Sequence, residues 1–256
     1  MLALVLLAGC AGPLIDHRYQ ARAQDHRVRY VILHYTHGDF QRALKTLTEG
    51  EVSSHYLISE APAEIYQLVE EDRRAWHAGK SAWKDDVQLN GSSIGIELVN
   101  RGYEETPQGR VYADYSPQQI ERLIALLKNI VARHQISPDR ILGHNEIAPQ
   151  RKVDPGPLFP WQRLAQAGLI RWPNAGRVSE RREIFEHEMP EPAWFQERLA
   201  RHGYALPQTG ALDETTRLCL AVFQMKYRPA RHDGIPDAET AALLDVLTTH
   251  TESVRE

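Results

Sequence analysis

The chain has 256 residues and a formal net charge of −4, with 42% hydrophobic and 25% charged residues. Those values fit a globular protein of one large domain, or of a medium domain and a small one. No block of Lys and Arg stands out, so nucleic acid is excluded as a partner for want of an electrostatic footprint.

In chain order, Met1-Leu2-Ala3-Leu4-Val5-Leu6-Leu7-Ala8-Gly9-Cys10 comes first. This apolar run is too short to cross a bilayer, which takes ~20 residues, but it suits a secretory signal. Its ending, Leu7-Ala8-Gly9-Cys10, resembles the bacterial lipobox, whose cysteine is acylated and becomes the mature N-terminus. The other reading is a buried N-terminal strand. Ala11, where an Asp would retain such a protein in the inner membrane, points to the outer membrane. With Cys10 acylated, Cys219 has no disulfide partner; among Leu218, Leu220 and Val222 it reads as a small buried apolar residue, not a nucleophile.

Residues 11–26 are polar and aperiodic, a tether. Residues 28–35 read as a buried strand, and 40–48 as an amphipathic helix with Ala43, Leu44 and Leu47 on one face. Residues 55–58 and 64–69 read as strands across a turn containing Pro62, and 93–100 as a further strand; 102–115 reads as loop. Ser116-Pro117 opens a long helix with a capping serine and a first-turn proline, whose stripe is Ile120, Leu123, Ile124, Leu127, Ile130 and Val131. A short strand at 140–143 and a helix at 161–169 follow. The alternation of strands and helices predicts an α/β layer structure. An acidic, Pro-bearing stretch at 186–192 reads as a linker, and 193–248 as three short helices, the second and third capped by Asp213 and Asp237. No internal repeat shows at a fixed period.

Glu97 is the oddest residue. It sits in Gly95-Ile96-Glu97-Leu98-Val99, a strand otherwise fit for complete burial. A buried carboxylate is costly unless paired or protonated, and one tuned by burial against a nearby cation can move protons in catalysis. It can equally be an edge-strand glutamate facing water. His34 and His144 each follow an apolar strand, where a lone histidine is more often a satisfied core residue than a ligand. Asp154 lies in Asp154-Pro155-Gly156, held by a turn or merely capping it. Lys152 can stabilise a developing oxyanion or be an ordinary exposed lysine, and Arg151 is expected to face solvent or acidic substrate groups.

Six motifs taken together carry a resemblance: Val31-Ile32-Leu33-His34-Tyr35-Thr36, Ser54-His55-Tyr56-Leu57-Ile58, Ala75-Trp76-His77-Ala78-Gly79, Ser93-Ile94-Gly95-Ile96-Glu97-Leu98-Val99-Asn100, Gly143-His144-Asn145-Glu146 and Arg151-Lys152-Val153-Asp154-Pro155-Gly156. Over residues 27–172 the chain resembles the zinc-dependent N-acetylmuramoyl-L-alanine amidases of the type-2 family, and within them the lipid-anchored branch of Gram-negative bacteria. The tail resembles a three-helix peptidoglycan-binding domain. The resemblance implies an α/β fold with a central mixed β-sheet flanked by helices, plus a small all-α C-terminal domain. It implies His34, His144 and Asp154 as ligands of one Zn²⁺, Glu97 as general acid/base, and Lys152 at the oxyanion. Two imidazoles and a carboxylate suit zinc and leave a coordination position open for chemistry. Trp76, His77 and Asn100 are expected substrate contacts and His55 a structural residue.

The expected layout is a signal peptide at 1–10 ending at Cys10, a tether at 11–26, a catalytic domain at 27–185, a linker at 186–192 and a wall-binding-like helical domain at 193–256. The expected partners are peptidoglycan and muropeptides, with a membrane reached through the lipid on Cys10 at the periplasmic face of the outer membrane. A non-catalytic peptidoglycan receptor on the same fold would be expected to lose a ligand, and none is lost. A glycosidase would need two carboxylates and no metal. A structural reading makes the protein a tether between the outer membrane and the wall through its C-terminal domain; deleting 193–256 would then remove its only wall contact, whereas the amidase reading keeps hydrolysis of small muropeptides.

Overall fold

The structure, a computed structural model, describes residues 15–249. The apolar run with Cys10, the first part of the tether and residues 250–256 lie outside the described residues. In order the elements are β1 (Tyr30–Tyr35), α1 (Phe40–Glu49), β2 (Tyr56–Ile58), β3 (Ile65–Gln67), β4 (Ala82–Trp83), β5 (Asp86–Val87), β6 (Ser93–Leu98), β7 (Tyr103–Thr106), β8 (Gly109–Tyr112), α2 (Pro117–His134), β9 (Ile141–Gly143) and α3 (His144–Ile147). The helices α4 (Trp161–Gln166), α5 (Ala175–His187), α6 (Pro192–His202), α7 (Glu214–Tyr227) and α8 (Ala238–Thr249) complete the chain. Among the described residues no helix is long and apolar enough to cross a membrane.

Five strands form a mixed sheet in the order β3-β2-β6-β1-β9. Strands β2, β6, β1 and β9 run parallel, and β3 returns antiparallel at the edge. Parallel strands covered on both faces have near-continuous apolar sequences, as β1 and β6 do. Because side chains alternate across a strand, Val31 and Leu33 face one layer with Ile94, Ile96 and the apolar stripe of α2. Helix α2 starts as its sequence predicts: the Ser116 hydroxyl accepts the Gln119 N–H at 3.2 Å, and Pro117 stands in the first turn. Helix α1 is capped in the same way by Asp39 and lays Ala43 and Leu47 over Leu57 and Val99.

The opposite sheet face carries Tyr30, Ile32 and Leu142. These side chains belong to one buried cluster with Phe185, Phe195, Leu199, Phe223 and Leu244 of the C-terminal helices. The helical part is therefore the second cover of the sheet. The segment expected as a linker from 186 begins inside α5, which runs to His187, and only 188–191 separate it from α6. Helix α5 is held against α8 and α6 by charge: Asp245 receives Arg181 at 2.6 Å and Arg198 at 3.2 Å. Deletion of 193–256 would consequently strip the apolar cover from Tyr30, Ile32 and Leu142, each worth roughly 1.5–3 kcal/mol of burial. This shared core sets a loss of stability against the expectation that the remainder works alone.

The C-terminal helices carry one hydrogen-bond pattern twice. Buried Gln196 of α6 accepts the Gly210 N–H at 2.8 Å and donates to the Ala211 carbonyl and the Thr216 hydroxyl, both at 2.9 Å. Buried Gln224 of α7 accepts the Gly234 N–H at 2.9 Å and donates to the Ile235 carbonyl at 3.0 Å and the Thr240 hydroxyl at 3.1 Å. Thr216 and Thr240 each donate at 2.7 Å to the capping aspartates Asp213 and Asp237. The two intervening loops differ in length, so the repeat has no fixed period in sequence. Gln224→Ala is expected to cost about 2–3 kcal/mol by leaving the Gly234 N–H without its acceptor in the interior, read as a lower urea midpoint at unchanged slope.

Candidate metal centre

His34 and Glu97 are directly opposite one another in the β1–β6 register, and Gly143 ends β9 beside Leu33. The carboxyl ends of three parallel strands thus deliver His34, Glu97 and His144 to one place. Asp154 arrives on the loop after α3, its carbonyl accepting the Asn145 N–H at 2.9 Å. Gly143 has to be glycine: a Cβ there would lie 2.5 Å from Asn145 Oδ1 and 2.7 Å from Pro155 Cδ.

His34 Nδ1, His144 Nδ1 and Asp154 Oδ2 form a buried triangle with edges of 2.9, 3.1 and 3.0 Å. Tautomers follow from the partners of the outer ring nitrogens. The Ser93 hydroxyl donates to the Leu89 carbonyl at 2.5 Å, so it accepts from His77 Nε2 at 3.2 Å. His77 Nδ1 is then an acceptor, filled by the His34 Nε2–H at 3.0 Å. That leaves a bare lone pair on His34 Nδ1. His144 Nε2 lies 3.2 Å from the Ala78 carbonyl, which can only accept; Arg151 Nη2, 3.3 Å from the same nitrogen, is spent on the Ala78 and Lys80 carbonyls, so the ring donates through Nε2 and its Nδ1 is bare as well. Outer-ring partners of this kind orient ligating histidines and fix their tautomers. A proton shared with Asp154 satisfies one edge of the triangle; a cation satisfies all three. The donor set therefore fits a metal ion, and it is the one cluster among the described residues that can hold one.

Electrostatics agree with that fit. Burial, then the neighbouring His144, lowers the His34 pKa to about 4. Burial pushes Asp154 upward, but His144 and His34 outweigh it and hold the carboxyl far below the usual range. At neutral pH both of these donors are deprotonated, as coordination requires.

Glu97 is half-buried, yet its Oε2 is shielded from water and has no hydrogen-bond partner. Burial, reinforced by the charge of Asp154 and opposed by that of Lys152, raises its pKa to about 8. Lys152 is half-buried, and its ammonium makes no hydrogen bond or ion pair among the described residues. Both line a cleft of about 450 Å³ together with Arg42, Trp76 and Tyr103.

The other expected residues fall into different places. Trp76 is 50% exposed on the cleft rim, with the Arg74 guanidinium 4.1 Å from its ring centroid. His77, expected at the substrate, has both ring nitrogens engaged within the protein as described; its ring lies so close across β6 that a Cβ at Gly95 would overlap it. Asn100, also expected at the substrate, accepts the Gly102 N–H at 2.7 Å and donates to the Asp114 carbonyl at 2.8 Å, pinning the β7–β8 loop instead. His55 accepts the Gly95 N–H at 3.0 Å and donates to the Arg73 carbonyl at 3.1 Å, a structural part as expected from its sequence. Arg151 does not face solvent or substrate alone: it donates to the carbonyls of Ala78 and Lys80, and its Nη2 lies 3.3 Å from His144 Nε2. Ser93 and Glu146 stand inside two of the motifs but received no role from the sequence, since a serine or glutamate there carries no signal of its own.

A parallel-sheet edge that presents two imidazoles, a carboxylate and an unpartnered glutamate to an open cleft defines a hydrolase site. The chain belongs to the N-acetylmuramoyl-L-alanine amidase family, which matches residues 24–157; a peptidoglycan-binding domain family matches 188–244. It is 44% identical to N-acetylmuramoyl-L-alanine amidase AmiD of Escherichia coli K12 over 96% of this chain and 94% of that one. The structure of AmiD with the substrate anhydro-N-acetylmuramic acid-L-Ala-D-gamma-Glu-L-Lys superposes with a TM-score of 0.85, at 42% identity over 93% of this chain and 95% of that one. AmpDh3 of Pseudomonas aeruginosa in complex with anhydromuramic pentapeptide superposes at 0.86, with 39% identity over 92% of this chain and 98% of that one. The chain is an N-acetylmuramoyl-L-alanine amidase that acts in cell-wall turnover.

In metal-free protein the raised Glu97 pKa has a signed consequence. Its protonated form is stabilised on folding, so its contribution is whole below the unfolded value of 4.5 and is lost as pH rises towards about 8. Relative to Glu97→Gln, the metal-free protein is expected to lose melting temperature between those pH values, and calorimetry of the two proteins side by side reads the difference.

Proposed function

We propose that the chain is a zinc amidase of muropeptides, including those with an anhydro-muramyl end, with His34, His144 and Asp154 holding the ion. The observation that carries this reading is the triangle of three bare acceptor atoms, which only a cation balances. Zinc bound there would supply a Lewis acid and lower the pKa of water towards neutrality. Glu97, drawn down by the charge of a cation held at the triangle from the raised pKa it has in metal-free protein, takes a proton from the attacking water on its unpartnered oxygen, as the water oxygen bonds to the lactyl carbonyl carbon. The Lys152 ammonium offsets the charge that develops on the carbonyl oxygen. Glu97 then returns the proton to the departing alanine nitrogen, the C–N bond breaks, and a muramyl carboxylate and a free peptide amine result. Trp76 on the rim gives a flat apolar surface for the substrate, and Arg42 with Lys152 gives the cleft the sign that an acidic stem peptide needs.

Glu97→Gln is expected to keep its zinc and lose about 10²–10⁴ in kcat. Lys152→Ala is expected to keep its zinc and lose about 10²–10³. Both are read by mass spectrometry of digested anhydromuropeptides with zinc measured on the same samples. Near-normal turnover by Glu97→Gln removes it from the proton-transfer role, and zinc loss in Lys152→Ala gives that lysine a structural part.

The envelope assignment extends the same reading. Lipid on Cys10 holds the protein at the periplasmic face of the outer membrane, residues 27–185 supply the catalysis, and the helices from 193 engage the wall. The Leu7-Ala8-Gly9-Cys10 ending supports the anchor. Cys10→Ser is expected to move the protein from the membrane pellet to the soluble fraction; if it stays in the pellet, acylation at Cys10 is not the anchor.

A further inference from the structure

The C-terminal helices do more at the metal centre than cover the sheet. Lys226, near the end of α7, reaches Glu146 of α3 with its ammonium 3.0 Å from Oε1 and 2.9 Å from Oε2. Their side chains are only 5% and 1% exposed. The same Glu146 Oε2 accepts the Gly143 N–H at 2.7 Å. Gly143 is the last residue of β9 and the one before the ligand His144. The ammonium also lies 4.2 Å from the ring centroid of Trp161, so α4 closes the pair from a further side. Next to it Met225 of α7 meets the Asn145 amide, Sδ to Nδ2 at 3.8 Å. Asn145 in turn binds the Asp154 segment, through its N–H to the Asp154 carbonyl at 2.9 Å and its amide to the Val153 carbonyl at 3.3 Å. Two adjacent residues of α7 therefore grip the two residues that follow His144, and those residues set both His144 and Asp154.

We propose that Lys226 of the C-terminal helical domain is a positioning residue of the catalytic site: through Glu146 it holds the Gly143–His144 turn in the conformation that aims the His144 ring. The helical domain is then a working part of the centre as well as a wall-binding module. The physical ground is the asymmetry of buried charge. Removing one member of a buried pair leaves the other uncompensated and drives it to move, whereas replacing both by neutral groups of similar size is close to harmless. Here the member left behind by a change at Lys226 is the one bonded to the backbone before a ligand. In Glu146→Gln the displacement arises from the amide facing the ammonium. Neither change touches a metal ligand or the cleft.

This rests on the zinc reading given above, and the test separates the two. Full-length wild type, Lys226→Met, Glu146→Gln and the double variant are compared for zinc affinity by chelator competition and for the visible spectrum of the cobalt-substituted protein. They are also compared for thermal melting and for kcat and KM on a soluble anhydromuropeptide. Each single change is expected to weaken zinc binding about 10–100-fold, the size typical of residues that orient ligands, to shift the cobalt bands, and to lower kcat more than KM. In the double variant the amide oxygen introduced by Glu146→Gln still accepts from the Gly143 N–H and no longer faces an ammonium. That protein is expected to recover most of the zinc affinity and the wild-type spectrum. A stabilising role alone would couple the two residues in melting temperature and leave zinc affinity and spectrum unmoved, and that result overturns the proposal. Should Lys226→Met not fold, Glu146→Gln with wild-type affinity and bands, or a folded double variant that stays weak, overturns it equally. Wild type that binds no zinc sinks the underlying reading instead.

Discussion

Three acceptor atoms within about 3 Å of one another, largely buried at the floor of a cleft, are an arrangement that a cation balances and that is costly without one. The rest of the molecule serves that constraint. The parallel register sets His34 against Glu97, the Leu89–Ser93–His77 relay dictates which nitrogen of His34 is bare, and the Ala78 carbonyl does the same for His144. Each of these outer groups decides whether a lone pair or a proton faces the centre. Glu97 stands at the edge of the same field. Its unpartnered oxygen is unfavourable for folding, the kind of local rule that gives way where a site has work to do.

The second dependence is on the C-terminal helices. The sheet needs two covers, and α2 supplies only one. Phe195, Phe223 and Leu244 meet Tyr30, Ile32 and Leu142 to make the other. Family boundaries at 157 and 188 mark two ancestries, but the buried surface runs across them without a seam. A cut between domains drawn by sequence is in this chain a cut through a core.

Much of the fold was legible because it rests on local pattern. The strands at β1 and β6 announce themselves by unbroken apolar runs, and α2 by its cap and stripe. Helix α5 was missed because it has no stripe: Phe185 is its one buried residue, and arginine pairing to Asp245 holds it. The β7–β8 hairpin was missed because both strands are largely exposed, so neither shows the alternation that burial imposes. At the site, the histidines and Asp154 were legible only as a set, by resemblance; singly, each had an ordinary alternative. His77 and Asn100 lay in motifs that pointed to the substrate, whereas the structure shows their polar atoms engaged by neighbouring groups. Lys226 had no signal at all, since its partner is far away in sequence and a lysine near a helix end is commonplace.

The glutamine lock that occurs twice in the C-terminal helices has a consequence for how such a domain can vary. Each lock fastens the last part of a loop and the first turn of the next helix to the helix before it, through one backbone N–H, one carbonyl and one hydroxyl. Whatever chain lies between the helix and the fastening is free to lengthen or shrink, as the unequal pair in this protein already shows. Inheritance can therefore remodel the outer contour of the domain by insertion while its three-helix interior, and the lysine it extends to the catalytic half, stay where they are.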